Sequence, residues 1–166
     1  MKIESKDLAL TAVFAALYAA GVIILAPISF GVYQVRVADA LLPLSMMFGV
    51  PVAAGTSLGC LIANVYGGLG IVDIAGGAVA NFLACTLARH IGMNSAARRF
   101  AGCLVETATV TLIVGGYLSL IFNVPVELGL FGIFAGSLVA INILGFAFLE
   151  GLHRSGIGRR YTKKTV

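Results

Sequence analysis

The sequence has few charged residues and few cysteines, and it contains no tryptophan. Charged residues make up 11% of its 166 residues, hydrophobic residues make up 60%, and the mean hydropathy is +1.04. A soluble domain needs far more polar surface than this, so the composition excludes a water-soluble globular protein. We therefore predict an all-α integral membrane protein that binds no nucleic acid, because its basic residues lie beside membrane helices.

Residues with catalytic or metal-binding potential are scarce. Cys60, Cys85 and Cys103 lie inside apolar runs without metal-ligand spacing, so we predict packing roles and no metal site. The HExxH, GxSxG and Walker A motifs are absent, and His90 and His153 lie in basic regions. A membrane enzyme is therefore the least favoured function, and we expect no catalytic residue and no cofactor in this chain.

The second of five apolar runs decides the predicted topology. It covers about residues 40–65, longer than the roughly 20 residues of one spanning helix. One tilted helix here gives five spans, whereas a break at Pro43, Gly49 and Pro51 gives six. Six spans put ten of the eleven Lys and Arg residues on one side with both termini, as the positive-inside rule favours. We therefore predict one membrane domain, residues 1–166, with cytoplasmic termini and helices at about 8–28, 40–49, 51–65, 71–88, 100–122 and 128–150.

The segment "YQVRVADALLPL" carries charges at the edge of an apolar run. In the predicted topology it lies on the outer side, where charges near a bilayer often mark a site. Arg36 and Asp39 either pair with each other, which contributes little, or line a ligand site with Gln34. A guanidinium and an amide hold a carbonyl, and a carboxylate accepts two adjacent N–H donors.

Other polar residues interrupt the predicted helices. Asparagines in membrane helices often bridge neighbouring helices, and Asp73 needs a partner where it enters an apolar helix. Glu106 is expected to reach back to Arg98 or Arg99, and Glu150 and Arg154 are spaced as an i, i+4 pair. The predicted ligand-site residues are Gln34, Arg36, Asp39, Asn64, Asp73, Asn81 and Asn142.

Small residues form a stripe on the first helix. Ala12, Ala16 and Ala20 recur every four residues and make a smooth groove for another helix. From the residues alone, packing inside the bundle is favoured over a docking face for a separate membrane protein.

Three segments, "YQVRVADALLPL", "GCLIANVYGG" and "VDIAGGAVANFLA", resemble the motifs of the queuosine-precursor transporter (QueT) family. The resemblance covers about residues 5–155. It implies a six-helix substrate-binding S component of an energy-coupling factor (ECF) importer, in a prokaryotic plasma membrane. The implied partners are a transmembrane T subunit and two cytoplasmic ATPases, which use the ATP, besides membrane lipid. The implied docking face on the T subunit is the stripe Ala12, Ala16 and Ala20.

The substrate that the resemblance implies is a 7-deazaguanine precursor of queuosine, with a cyano or an aminomethyl group. The chain departs from the family pattern at Val35, where an aromatic residue is usual, and at Asp39, where Glu is usual. Gly136 and Ser137 stand where Gly-Glu is usual, which favours the cyano precursor or a different nitrogenous ring over the aminomethyl precursor. The alternatives are an S component for a pyridoxine- or thiamine-like vitamin, or a membrane scaffold without transport function.

Overall fold

The structure, a computed structural model, describes residues 4–156, and the basic residues from Arg159 to Lys164 lie outside them. The described chain is helical and contains no strand. A 3₁₀ helix covers Val37–Leu44, and π-helical turns cover Thr111–Gly115 and Leu138–Gly145. The α-helices are α1 Ser5–Ile24, α2 Ala26–Ser29, α3 Ser45–Phe48, α4 Val50–Gly67, α5 Ile71–Ile91, α6 Ala96–Val110, α7 Gly116–Ile121, α8 Val126–Ser137 and α9 Phe146–Arg154.

Within the described part of the chain, five helices are long and apolar enough to cross a membrane. They are α1, α4, α5 and two longer helices in which a π turn joins two parts: α6–α7, Ala96–Ile121, and α8–α9, Val126–Arg154. Many large apolar side chains on these helices are exposed, which is the pattern of a bundle surrounded by lipid. The predicted all-α membrane bundle is confirmed, and the chain is a multi-pass membrane protein.

The long apolar run 40–65 is interrupted at Gly49, whose φ of +77° is a backbone conformation that suits glycine. Before it lies the central segment, which we define as residues 37–48. Eight 3₁₀ residues and four α residues span roughly 22 Å, less than the roughly 30 Å hydrocarbon core of a bilayer. Leu42 and Leu44 of this segment are fully buried in the bundle core.

α1 and α4 pack side by side and run in the same direction. A Cβ at Gly55 would lie 2.7 Å from the Thr11 carbonyl oxygen, and one at Gly59 would lie 2.6 Å from the Ala15 carbonyl oxygen. Glycine therefore lets the two backbones approach more closely than any other residue would. Because α1 and α4 run parallel, the residues between them must return along the bundle, and the central segment makes this return.

Each later segment runs antiparallel to the one before it: α5 to α4, α6–α7 to α5, and α8–α9 to α6–α7. The start of α1 and the end of α9 therefore lie at the same end of the bundle. We call this end, which includes the loop 92–95, the basic end. We call the opposite end, with the loops 30–36, 68–70 and 122–125, the polar end. The number of membrane crossings and the side that the termini face stay predictions. The contacts that set these directions are Asn64 with Asp73, Asn81 with Thr56, Gly102 with Ala88, Gly76 with Tyr117, and Thr107 with Ser137.

The predicted helix bounds differ from the observed ones by up to four residues, as at residue 100 against Ala96. The largest difference of shape is at the end of the first helix. It was predicted to reach residue 28, but α1 ends at Ile24, and Pro27 lies in the first turn of the separate helix α2. Proline has no backbone N–H to donate, and its ring clashes with the carbonyl of the residue four positions earlier, which explains why one continuous helix does not run through Pro27.

Candidate functional site

A narrow cleft reaches from the polar end to about the middle of the bundle. Its cavity volume is about 10 Å³, which is room for the centre of about one water molecule. A planar bicyclic ligand therefore requires the walls to move apart. The lining residues are Gln34, Arg36, Asp39, Asn81, Val110, Val114, Ile133 and Ser137.

The loop that carries Gln34 and Arg36 is held against two helices. The Val35 amide donates to the Ile28 carbonyl oxygen at 2.8 Å. On the other side the Gln34 carbonyl presses on Gly136, where no side chain has room. These contacts hold two polar side chains inside the bundle, with Gln34 5% and Arg36 6% exposed.

The guanidinium of Arg36 is buried but loosely held. Its Nε donates to the Ser29 carbonyl oxygen at 3.3 Å, and its Nη1 lies 3.6 Å from the Cys60 sulfur. Its Nη2 makes no hydrogen bond, although it lies 3.9 Å from Asp73 Oδ1. The guanidinium also lies 5.5 Å from the centre of the Phe30 ring, a cation–π distance.

Asp39 forms no ion pair with Arg36, so the alternative in which these two residues pair with each other is not observed. The Tyr18 hydroxyl donates to Asp39 Oδ1 at 2.5 Å instead. Arg36 precedes the 3₁₀ helix and has an extended backbone, so the three-residue spacing does not bring the two side chains together on one helical face. Both side chains are buried, and both line the cleft.

Asp73 is fully buried beside the cleft and is the acidic neighbour of Arg36. The Tyr117 hydroxyl donates to Asp73 Oδ1 at 2.8 Å, and Asp73 Oδ2 has no partner. The Asn64 amide donates to the Asp73 carbonyl oxygen at 2.7 Å, so Asn64 bridges α4 and α5. Because its Oδ1 has no partner, Asn64 keeps a free acceptor in this region.

The other two predicted asparagines occupy different places. Asn81 lines the cleft and also bridges helices, since its Nδ2 donates to the Thr56 carbonyl oxygen at 3.4 Å. Asn142 is not among the lining residues. The Thr107 hydroxyl donates to Asn142 Oδ1 at 2.5 Å, between the α6–α7 and α8–α9 helices.

Glu106 does not reach Arg98 or Arg99, so that prediction is wrong. It is fully buried, and the Ser45 hydroxyl donates to its Oε1 at 3.3 Å. Arg99 pairs instead with Glu150 at 2.7 Å, and the predicted pair of Glu150 with Arg154 is present at 3.3 Å. A carboxylate on the following helix thus replaces the expected local partner of Arg99.

Four polar atoms in this region are buried without a hydrogen-bond partner. A buried donor or acceptor that remains unpaired costs about 1–3 kcal/mol, so such atoms mark where a bound molecule gains most. One of the four is a donor and three are acceptors, a mixture that suits a ligand with both kinds of group. The atoms are Arg36 Nη2, Gln34 Oε1, Asn64 Oδ1 and Asp73 Oδ2.

Sequence reasoning missed the two tyrosines that hold the carboxylates. Tyr18 and Tyr117 lie in apolar helices, and a buried tyrosine hydroxyl usually needs a polar partner, so a signal was available. It would not have identified the partners, because Tyr18 lies 21 residues from Asp39 and Tyr117 lies 44 residues from Asp73.

The alanine stripe of α1 faces outward. Ala12, Ala16 and Ala20 are exposed, whereas Ala15 contacts α4 and Ala19 is buried. Packing of the stripe inside the bundle, the interpretation favoured from the residues alone, is therefore wrong. Docking of the stripe on another protein stays a prediction.

Comparison with known proteins gives one family. The family model described as QueT transporter matches residues 8–154, so the resemblance of the motifs is confirmed over most of the chain. The matched range includes all seven predicted ligand-site residues and the alanine stripe. No curated protein and no solved structure matches the chain.

Proposed function

Because the chain belongs to the QueT transporter family, we propose that it is the substrate-binding S component of an ECF importer. It captures a 7-deazaguanine precursor of queuosine from outside and delivers it inward. Energy comes from partner subunits, a transmembrane T subunit and two cytoplasmic ATPases that hydrolyse ATP. Family membership and the apolar helices support a multi-pass transport protein of the cell membrane, and the substrate and the assembly are our proposal.

The unpaired polar atoms of the cleft region carry the proposal of the substrate. A guanine-type edge presents two adjacent N–H donors and one carbonyl acceptor. Asp73 Oδ2 is a free acceptor for the N–H groups, and Arg36 Nη2 is a free donor for the carbonyl oxygen. Gln34 and Asn64 supply further acceptors at the ring edge. In this arrangement the ligand completes hydrogen bonds that the protein alone leaves unmade.

The groups near Ser137 favour the cyano precursor over the aminomethyl precursor. Ser137 lines the cleft and provides a hydroxyl, which donates to a nitrile nitrogen. An ammonium group needs a carboxylate, and Ser137 stands where the family pattern usually has Glu, so this position offers no carboxylate to an ammonium group. We therefore expect a neutral substituent on the deazaguanine ring to be preferred.

The exposed alanine stripe supports docking on the T subunit. Ala12, Ala16 and Ala20 present a smooth, lipid-facing surface on which another helix packs closely. A bulky side chain there separates the two proteins but does not touch the cleft. We therefore expect Ala16→Trp to abolish transport and to leave substrate affinity unchanged.

Uptake measured with the complete transporter in vesicles tests this expectation. The matched control is Val79→Trp, a bulky change at another exposed apolar position. Normal uptake by the Ala16→Trp variant would contradict docking at the stripe, and loss of uptake in both variants would show an effect unrelated to this surface.

A ligand panel tests the substrate directly. The purified chain is titrated with cyano- and aminomethyl-7-deazaguanine, guanine, pyridoxine and thiamine, and the melting temperature is recorded. A ligand at 100 times its Kd stabilises the folded protein by about 2.7 kcal/mol, which is readily measured. We expect the largest stabilisation from the cyano compound. A response to pyridoxine or thiamine alone would keep the S component and reject the substrate, and no response at all would favour a scaffold.

A further inference from the structure

A second cavity lies at the basic end, between the start of α4 and the end of α5. Its volume is about 360 Å³, far larger than that of the polar cleft. None of its lining residues lines the polar cleft, so it is a separate feature of the bundle. The lining residues are Gly49, Val50, Ala53, Phe82, Cys85, Thr86, Arg89 and His90.

The wall of this cavity combines an apolar surface with a basic rim. Val50, Ala53 and Phe82 provide apolar surface, and Phe82 is 45% exposed although it lies within a membrane-spanning helix. Arg89 and His90 lie in the last turn of α5 and are exposed. The cavity therefore opens towards lipid along the helices and towards positive charge at the end of the bundle.

The guanidinium of Arg89 lies above the break between α3 and α4. A Cβ at Gly49 would lie 3.6 Å from Arg89 Cζ, so the guanidinium rests close to this backbone. Within residues 4–156 Arg89 forms no ion pair. Among the acidic residues at the same end, Glu150 already binds Arg99 and Arg154, at 2.7 and 3.3 Å, and neither Glu4 nor Asp7 pairs with Arg89. The charge of Arg89 is thus available to an external anion.

We propose that this cavity binds an anionic phospholipid. The phosphate lies against Arg89 and His90, and an acyl chain follows the apolar wall formed by Ala53 and Phe82. Basic pockets between membrane helices attract anionic head groups, and each Lys or Arg near the surface contributes an attraction that salt weakens. The apolar wall favours a lipid over free phosphate, which would contact the rim alone.

The absence of tryptophan makes the test simple. A Phe82→Trp variant of the full chain carries a single fluorescent indole in the cavity wall. It is reconstituted into vesicles in which either phosphatidylglycerol or phosphatidylcholine has brominated acyl chains, which quench the indole. We expect brominated phosphatidylglycerol to quench at least about threefold more effectively, at equal mole fraction, than brominated phosphatidylcholine.

Matched variants separate this site from general lipid contact. Leu83→Trp places the indole on the exposed neighbouring position, which does not line the cavity, and should show no preference between the lipids. Adding Arg89→Gln to Phe82→Trp should abolish the preference, whereas adding Arg98→Gln, a basic residue outside the lining, should preserve it. Inorganic phosphate at about 10 mM should leave the preference for phosphatidylglycerol intact, because free phosphate lacks the acyl chain that contacts the apolar wall.

Three results would overturn the proposal. Equal quenching by both lipids would show that the cavity does not select an anionic head group. Loss of the preference on addition of inorganic phosphate would show that Arg89 and His90 bind a free ion. An indole protected from both lipids would show that a protein helix covers the cavity. If Phe82→Trp does not fold, native mass spectrometry compares how much phosphatidylglycerol the unaltered chain and the Arg89→Gln variant retain. Equal retention by the two proteins would contradict the proposed site.

Discussion

Two buried arginines at opposite ends of the bundle differ in how they are held. Arg36 at the polar end is 6% exposed, and Arg99 at the basic end is 5% exposed. Arg99 donates to Glu150 through Nε at 2.9 Å and Nη2 at 2.7 Å, and to the Met93 carbonyl oxygen through Nη1 at 2.9 Å. Arg36 has no contact shorter than 3.3 Å among those to Ser29, Cys60 and Asp73.

The difference indicates that Arg99 stabilises the fold, whereas Arg36 keeps a donor, Nη2, that a ligand could use. Charge-assisted hydrogen bonds to carboxylates are typically about 2.7–2.9 Å long, and Arg99 makes two of them to Glu150 besides its bond to the Met93 carbonyl oxygen. A buried cation without such bonds has lost hydration and gained little in return. Arg36 therefore gains more from a bound carbonyl oxygen than Arg99 does, and mutations of the two residues should affect different measurements.

The largest effect is expected for Arg36→Ala. It removes the free donor Nη2 of the proposed site and leaves Asp73 without its cationic neighbour. Loss of one partner of a buried charged contact costs about 2 kcal/mol or more, so affinity for the cyano-deazaguanine should fall at least about 30-fold. Calorimetric titration measures this change, and unchanged affinity would place the substrate elsewhere.

Arg99→Gln should have the opposite profile. It breaks the paired bonds to Glu150, which is partly exposed, so the free energy of unfolding should fall by about 1–2 kcal/mol. Substrate affinity should stay within about twofold of the unaltered chain, since Arg99 lies at the other end of the bundle. Thermal unfolding and titration of the same preparation measure both quantities. Arg154→Gln, an exposed partner of Glu150, is the control and should change neither strongly.

A smaller effect on affinity is expected for Tyr117→Phe. The change removes the hydroxyl that donates to Asp73 Oδ1 at 2.8 Å and positions this carboxylate. A typical hydrogen bond contributes about 0.5–1.5 kcal/mol, so affinity should fall about threefold to tenfold. Tyr66→Phe, which alters an exposed tyrosine, provides the control in the same titration. An equal effect of both changes would exclude a positioning role for Tyr117.

The smallest effect is expected for Cys60→Ala. The Cys60 sulfur is a weak acceptor 3.6 Å from Arg36 Nη1, so its removal should change affinity less than about threefold. Cys103→Ala, at a buried cysteine outside the cleft lining, should have no effect on binding. A large loss of affinity with Cys60→Ala would show that Arg36 is held more firmly than the distances indicate.

Local patterns were sufficient to predict the helices and part of the cleft. Hydropathy identified the all-α membrane bundle, because lipid imposes long apolar helices wherever the chain spans it. The two charges of the segment "YQVRVADALLPL", at the edge of an apolar run, pointed to Gln34, Arg36 and Asp39, which the structure brings together with Asn81. Their roles in binding stay predictions.

The pairings could not be predicted, because they join residues that are distant in the chain. The carboxylate within ion-pair distance of Arg36 is that of Asp73, 37 positions onward, although Asp39 is three positions away. Arg99 binds Glu150, 51 positions onward, whereas Glu106 is seven positions away. Spacing predicts contacts only along a regular helix, and these pairs depend on how separate helices pack.

The most direct test of the account measures ligand binding and stability in parallel for the unaltered chain, Arg36→Ala and Arg99→Gln. Each purified protein is titrated with cyano-7-deazaguanine, and its melting temperature is recorded with and without the ligand. The account predicts that Arg36→Ala loses the ligand-induced rise in melting temperature. It also predicts that Arg99→Gln melts at a lower temperature but keeps the full rise. A full ligand response in Arg36→Ala would contradict the claim that the loosely held arginine is the one that binds substrate.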